Sequence, residues 1–228
     1  MPRVNSVPDP FSAPFHAVLL DMDGTLIDSI AAVERSWVRW CGEYGVDPER
    51  LRGFHGVTAR HLIEQLLPEE LREGAYDRIV EIEVADLDGI EVLPGAAELL
   101  GGLRDAGVPT AVVTSSSAPL AEARLRATGL PHPEVVVTAS DVARGKPWPD
   151  PWLLGAERVG VDPRECLVVE DAVAGLRAAQ AAGCRGLVAV TSTTPREDLD
   201  AVAHLVVPSV AELPVEIGGG LVRVLPGP

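Results

Sequence analysis

Short, mostly apolar stretches recur along the chain at 17–20, 109–113, 134–138, 166–169, 186–190 and 204–207, rich in Val, Leu and Ala. Runs that are apolar at consecutive rather than alternate positions make strands buried on both faces. Between them the period changes. Apolar residues fall at three- and four-residue steps over 96–106, 120–128, 149–159 and 174–182, which predicts helices. Gly107, Gly129 and Gly183 close three of these, and prolines open 149–159. Strands alternating with helices imply right-handed crossovers and a parallel sheet covered on both faces.

One section departs from that alternation. From 29 to 88 the pattern is helical, with no convincing strand. Ile30, Val33, Trp37, Cys41 and Tyr44 mark a helix over 29–44, started by Asp28 or Ser29 and ended by Gly45-Val46-Asp47-Pro48. A second helix begins near Thr58, after the loop Gly53-Phe54-His55-Gly56. Leu71, Tyr76, Ile79, Val80, Ile82, Glu83 and Leu87 place helices over 71–87. The section reads as a helical insert, with Trp37 and Trp40 as packing groups. Residues 88–95 are turn-forming and predict a hinge. The tail after Leu213 is rich in Gly and Pro and is assigned no role.

A chain of 228 residues, 46% apolar, can bury a substantial core as one large domain or two small ones. Its net charge of −15 argues against nucleic acid as the main partner. An anionic substrate would then need a local positive site, which directs attention to metals and lysines. Cys41, Cys166 and Cys184 are widely spaced, with no CxxC, as expected of buried thiols in a reducing cytoplasm. No apolar run approaches the ~20 residues of a membrane span, and 1–14 lacks the apolar core of a secretory signal. The expectation is a cytoplasmic protein without a membrane partner.

The strand ends carry the chemistry. Ligands of open α/β sheets bind beyond the carboxyl ends of the strands, and 17–20 ends in Asp21-Met22-Asp23-Gly24-Thr25. Alternation points Asp21 and Asp23 to one side. Two close carboxylates stay ionised together only around a cation; otherwise one takes up a proton. A hard ion such as Mg2+ brings phosphate with it. A carboxylate can attack phosphorus, and a protonated partner can supply the leaving oxygen's proton. Thr114-Ser115 ends a second strand with hydroxyls and N–H groups for a phosphoryl oxygen, although such a cluster also makes an ordinary helix cap. Lys146, between Gly145 and Pro147, offers a fixed point charge for phosphate, although loop lysines are commonly solvated. Glu170-Asp171 ends a buried strand where paired acids are costly without a cation; Asp171 can equally serve a helix N-terminus. His61, His132 and His204 are taken as structural.

Together, Asp21-x-Asp23-Gly24-Thr25, strand-terminal Thr114, Lys146-Pro147 and Glu170-Asp171 with Ala-x-x-Gly175 resemble the four motifs of the haloacid dehalogenase superfamily. They stand in the same order and spacing, over about 15–208. The resemblance implies an α/β fold with a Rossmann-like parallel core from 15–28 and 93–213. Residues 29–92 would be a small all-α cap inserted after the first strand, and 1–14 and 214–228 terminal extensions. The strongest likeness is to sugar- and polyol-phosphate phosphatases, carried by the 21–29 run, His55-Gly56, and 137–141 ahead of Lys146-Pro147-x-Pro149-Asp150.

Carried over by position, Asp21 is the nucleophile, and Asp23 is first the acid and then the base. Thr114, Ser115 and Lys146 hold the phosphoryl group, Lys146 also balancing Asp21. Mg2+ is held by the Asp21 carboxylate, the Asp23 backbone carbonyl and Asp171, with Glu170 beside it, directly or through water. His55 and Gly56 face the substrate from the cap. The expected protein is a monomer that releases phosphate from a small phosphorylated metabolite. Asp23 argues against dehalogenation, because a halide leaves without a proton. Similar mutases carry a histidine twelve residues past the nucleophile; Val33 stands there, which favours hydrolysis over hexose-phosphate mutase activity. Phosphoglycolate remains an alternative substrate.

Overall fold

A computed structural model describes residues 9–51 and 56–225. In chain order the elements are β1 (Ala17–Leu20), β2 (Ile27–Asp28), α1 (Ile30–Tyr44), α2 (Ala59–Leu66), α3 (Glu69–Ala85) and β3 (Glu91–Val92). There follow α4 (Ala96–Asp105), β4 (Thr110–Val113), α5 (Ala118–Thr128), β5 (Val135–Val137), α6 (Asp150–Val159) and β6 (Cys166–Glu170). The chain continues with α7 (Val173–Ala181), β7 (Gly186–Val190), α8 (Arg196–Leu199), β8 (Leu205–Val207), β9 (Val215–Gly218) and β10 (Leu221–Val224).

Six strands form one parallel sheet in the order β5-β4-β1-β6-β7-β8. β1 is therefore central, with the chain winding outward first through β4 and β5, then through β6 to β8. The carboxyl ends of β4, β1 and β6 meet at the reversal, where open α/β sheets bind ligands. Alternation divides β1 cleanly. Val18 and Leu20 pack with Leu99, Leu103 and Leu125 on one face, and Ala17 and Leu19 with Trp152, Ala156 and Leu176 on the other. The whole of β1, β6 and β7 is buried, which is why their apolar runs are unbroken.

Helices α1 to α3 enclose an apolar cluster of their own, including Trp37, Trp40, Ile63 and Ile79. Trp40 stacks on Tyr44 at 4.8 Å and donates its Nε1–H to the Ala75 carbonyl at 2.8 Å, so both tryptophan positions serve packing. The section leaves and rejoins the core through β2 and β3, which pair antiparallel, Ile27 opposite Val92. The expected hinge region thus contains a strand, although one of only two residues. The third helix starts at Glu69 rather than 71, directly after Pro68, and ends at Ala85.

The tail needs correction. The sequence alone assigns it no role; in the structure β9 and β10 form an antiparallel hairpin around Gly219-Gly220. Phe15 and Val222 exchange backbone hydrogen bonds at 2.7 and 3.0 Å, and Val222 and Val224 join the core. Alternation in Leu221-Val222-Arg223-Val224 after a Gly-Gly turn carries the hairpin signal that bulk Gly and Pro content conceals.

All three cysteines are free and buried, and burial pushes the Cys166 and Cys184 thiols up to about 12. No helix among the described residues is long and apolar enough to cross a membrane. His204 is structural in a specific way: its Nδ1 accepts the Leu187 N–H at 3.1 Å, and the partial burial of its otherwise exposed ring lowers its pKa. The neutral ring is the folded form, so its contribution is full above the unfolded value and lost as pH falls below it. Wild-type Tm should drop between pH 7 and pH 5 by ~2 °C more than that of His204→Gln; equal drops would remove this role.

Candidate active site

Register assembles the site. Leu20 lies opposite Val112 of β4 and Val169 of β6, so the next residues, Asp21, Val113 and Glu170, come level at the sheet's edge. The Asp21 N–H donates to the Val169 carbonyl at 2.9 Å. Lys146 enters from the loop before α6 and is 1% exposed. Its ammonium donates to Asp21 Oδ1 at 2.6 Å, Glu170 Oε2 at 2.7 Å and the Val113 carbonyl at 2.9 Å, which uses all three protons. It also lies 4.5 Å from the centre of the buried Trp152 ring, whose own N–H donates to the Gly175 carbonyl. Burial alone would lower the lysine's pKa, but the charges of Asp21 and Glu170 outweigh it and hold the ammonium above its ordinary value.

Glu170 accepts at both oxygens. Oε2 takes Lys146, and Oε1 takes the N–H groups of Asp171 and Ala172 at 3.2 and 3.1 Å. A Cβ on Gly175 would lie 2.0 Å from Oε2, which accounts for glycine at that position. Asp171 receives the Thr193 hydroxyl on Oδ2. Burial, followed by the charges of Glu170 and Asp21, raises its pKa well above the ordinary value. Gly24, at φ +87°, brings its backbone so close that a Cβ would stand 2.2 Å from Asp171 Oδ2.

Asp21 is pushed up to about 7, chiefly by burial and then by Glu170, against the pull of Lys146. Its Oδ2 is buried without a hydrogen-bond partner among the described residues. Carboxylate oxygens of Asp21, Glu170 and Asp171 all lie within 4.8 Å of one another. One ammonium thus faces three buried carboxylates. An uncompensated buried charge is costly, and an orphaned carboxylate oxygen beside further oxygen donors fits a hard divalent cation.

Asp23 sits in a separate cradle. Its Oδ1 accepts from Ser29 Oγ at 2.7 Å and Arg124 Nη1 at 2.8 Å. Its Oδ2 accepts from Ser116 Oγ at 2.9 Å and Thr114 Oγ1 at 3.3 Å. Of the pair expected to hold phosphate, Thr114 lies against Asp23, while Ser115 turns away and donates to the Gly56 carbonyl at 2.9 Å. Alternation after β4 puts Thr114 and Ser116 on one side and Ser115 on the other. Both Thr114 and Ser115 line the same cleft.

This cleft, about 240 Å³, separates the sheet edge from the helical section. Asp21, Asp23, Thr114 and Asp171 form its floor; Val33, Trp37, Arg60, Tyr76 and Glu83 form its roof. Gly56 lines it, whereas His55 lies outside the described residues. Sequence reasoning took Ser29 only as a possible helix cap, a task that Asp28 performs by accepting the Ile30 N–H; it did not single out Ser116, Arg124 or Thr193, and counted Glu83 only as part of a helical pattern. For Arg124 and Glu83 a signal existed: each puts a charge on a helix face shared with Leu120, Ala121 and Leu125, or with Ile79 and Ile82.

Residues 15–183 match a family model described as haloacid dehalogenase-like hydrolase. Hexitol phosphatase A of Escherichia coli is 46% identical over 193 residues, covering 82% of this chain and 89% of that protein. A fructose-1-phosphate phosphatase of the same organism is 33% identical over 181 residues, covering 74% and 93%. The crystal structure of CbbY from Rhodobacter sphaeroides in complex with phosphate is 28% identical with a TM-score of 0.76, covering 87% of this chain and 96% of that one.

Proposed function

Since the chain belongs to the haloacid dehalogenase-like hydrolases and is a phosphoric monoester hydrolase, we propose that it is a Mg2+-dependent phosphatase of small sugar or polyol phosphates that works through an aspartyl-phosphate on Asp21. The observation that carries this reading is the placement of Asp21. It is buried beside Lys146, Glu170 and Asp171, where one ammonium faces three carboxylates and Asp21 Oδ2 has no hydrogen-bond partner among the described residues.

Asp21 attacks phosphorus, and the bond from phosphorus to the leaving oxygen breaks. Asp23 gives its proton to that oxygen as the alcohol departs. A water then attacks the acyl phosphate and yields its proton to Asp23; inorganic phosphate leaves and the Asp21 carboxylate is restored. Lys146 favours the ionised Asp21 that attacks, against burial and the charge of Glu170. A Mg2+ ion would be held by the Asp21 and Asp171 carboxylates and the Asp23 carbonyl, and would supply positive charge against the phosphoryl oxygens. Residues 29–92 act as a cap that excludes bulk water.

The size of the cleft suits one small leaving group. Of the basic residues that line it, Arg60 already pairs with Glu73 at 2.9 Å, and Arg124 with Asp23 at 2.8 Å and Glu83 at 3.2 Å. Such a lining suits neutral hydroxyls better than a second phosphate, so bisphosphates should be poor substrates. Because the relative with 46% identity is named a hexitol phosphatase, hexitol phosphates lead the candidates. Val33 lines the cleft where the similar mutases carry histidine, and its side chain offers no proton donor or acceptor there.

The deciding experiment incubates the purified protein with a panel of sugar, polyol and glycolate phosphates and measures both free phosphate and isomeric sugar phosphate. Phosphate release that is abolished by EDTA and restored by Mg2+ is expected, strongest with hexitol phosphates. Isomer formation without phosphate would replace this reading with a mutase. No product from any ester would end it.

A further inference from the structure

Arg124 is 3% exposed and lies on α5 of the core. Its Nη1 donates to Asp23 Oδ1 at 2.8 Å and to Ser116 Oγ at 3.0 Å. Its Nη2 donates to Glu83 Oε1 at 3.2 Å. Glu83, 6% exposed, belongs to α3 of the helical section. One guanidinium therefore spans three parts of the molecule: the carboxylate beyond β1, the loop after β4 and a roof helix.

Stability gives little reason for this arrangement. A buried ion pair commonly stabilises no better than a well-packed apolar pair of equal volume. The other groups on Asp23 are the hydroxyls of Ser29, Thr114 and Ser116, which are neutral and can rotate. Among the described residues Arg124 is the charged contact, and its planar fork fixes direction as well as distance. Proton transfer is steep in geometry, because the donor must lie within hydrogen-bond reach of the leaving oxygen.

We propose that Arg124 is a positioning residue for Asp23, and that Glu83 ties this positioning to the seating of α3, so that Asp23 is aligned for proton transfer when the roof is docked. The inference rests on the phosphatase reading above. It also assigns the buried Glu83 a task that the reaction alone does not require.

The test exploits the leaving group. A nitrophenolate departs without a proton, whereas a hexitol alkoxide needs one. kcat/KM covers the steps through leaving-group release, so it reports the acid step without the later base step. Breaking one side of the buried pair can unfold the protein, so the main variant is Arg124→Gln/Glu83→Gln, which removes both charges together. Arg124→Lys, which keeps the charge and loses the fork, provides a second measure, and thermal melts check both folds.

The double variant should lose about 100-fold in kcat/KM on hexitol phosphate and no more than about 5-fold on p-nitrophenyl phosphate. Arg124→Lys should fall between. The inhibition constant of hexitol phosphate against aryl phosphate turnover should stay within about twofold of wild type, showing that binding is not what was lost. Equal losses on the two esters, or a weakened inhibition constant that accounts for the whole loss, would overturn the positioning role. If the wild-type enzyme turns over neither ester, the phosphatase reading itself fails. If it turns over both and the variants keep its ratio, only the present inference fails.

Discussion

Asp21→Asn is expected to lower kcat by about 10⁴-fold or more on every phosphorylated substrate, because an amide does not attack phosphorus. The same change should have the opposite sign on metal-free stability. Asp21 is buried beside Glu170 and Asp171, and its pKa is pushed up to about 7. A carboxyl whose folded value is raised contributes fully below the unfolded value, and that contribution is lost as pH rises through the folded one. At pH 8 with EDTA, wild type therefore carries an ionised Asp21 that the fold disfavours. The Asn variant does not, while Lys146 keeps Glu170 and the Val113 carbonyl. Its Tm in EDTA should equal or exceed that of wild type, and Mg2+ should raise it less. Retained turnover would remove Asp21 as nucleophile; a Tm well below wild type in EDTA would remove the charge argument.

Legibility in the sequence followed locality. Asp21-Met22-Asp23 and Glu170-Asp171 are contiguous acids, each after an apolar run buried on both faces, and parallel pairing of those runs brings the acids level. Lys146 was legible from its rigid flanks, although its burial over Trp152 was not. β2 and β3 contain two residues each, too few to show a period. The β9–β10 hairpin was hidden by reading composition where alternation mattered. Ser116 was passed over for its neighbour Ser115, although period-two geometry from Thr114 selects Ser116 for Asp23 and sends Ser115 toward Gly56. The Glu83–Arg124 pair joins residues 41 apart on two helices, and no local pattern specifies such a contact. A charge on an otherwise buried helix face is the trace it leaves.

Lys146→Met should produce the largest loss of stability. The lysine is fully buried and makes three hydrogen bonds, two of them to carboxylates. Methionine fills most of the volume over Trp152, so the change isolates charge from packing. Removing one side of a buried pair costs about 3–5 kcal/mol, because the partner is left charged and unsolvated. For a chain of this size that corresponds to a fall in Tm of about 10 °C in EDTA. Mg2+ supplies positive charge to the same carboxylates, so it should raise the variant's Tm by more than it raises that of wild type. Activity should not follow. Asp21 Oδ1 loses its donor whether or not the ion is present, and kcat should stay about 10²–10³-fold low. Calorimetry in EDTA and in Mg2+ separates these effects, and an unchanged Tm in EDTA would show that Lys146 does not compensate the acidic cluster. The pair Asp21→Asn/Lys146→Met sharpens the argument. It removes one charge of each sign from a cluster held within a few ångströms, so its destabilisation should be smaller than that of Lys146→Met combined with the effect of Asp21→Asn. Strict additivity would mean that the two side chains do not share the charge balance that their 2.6 Å contact implies.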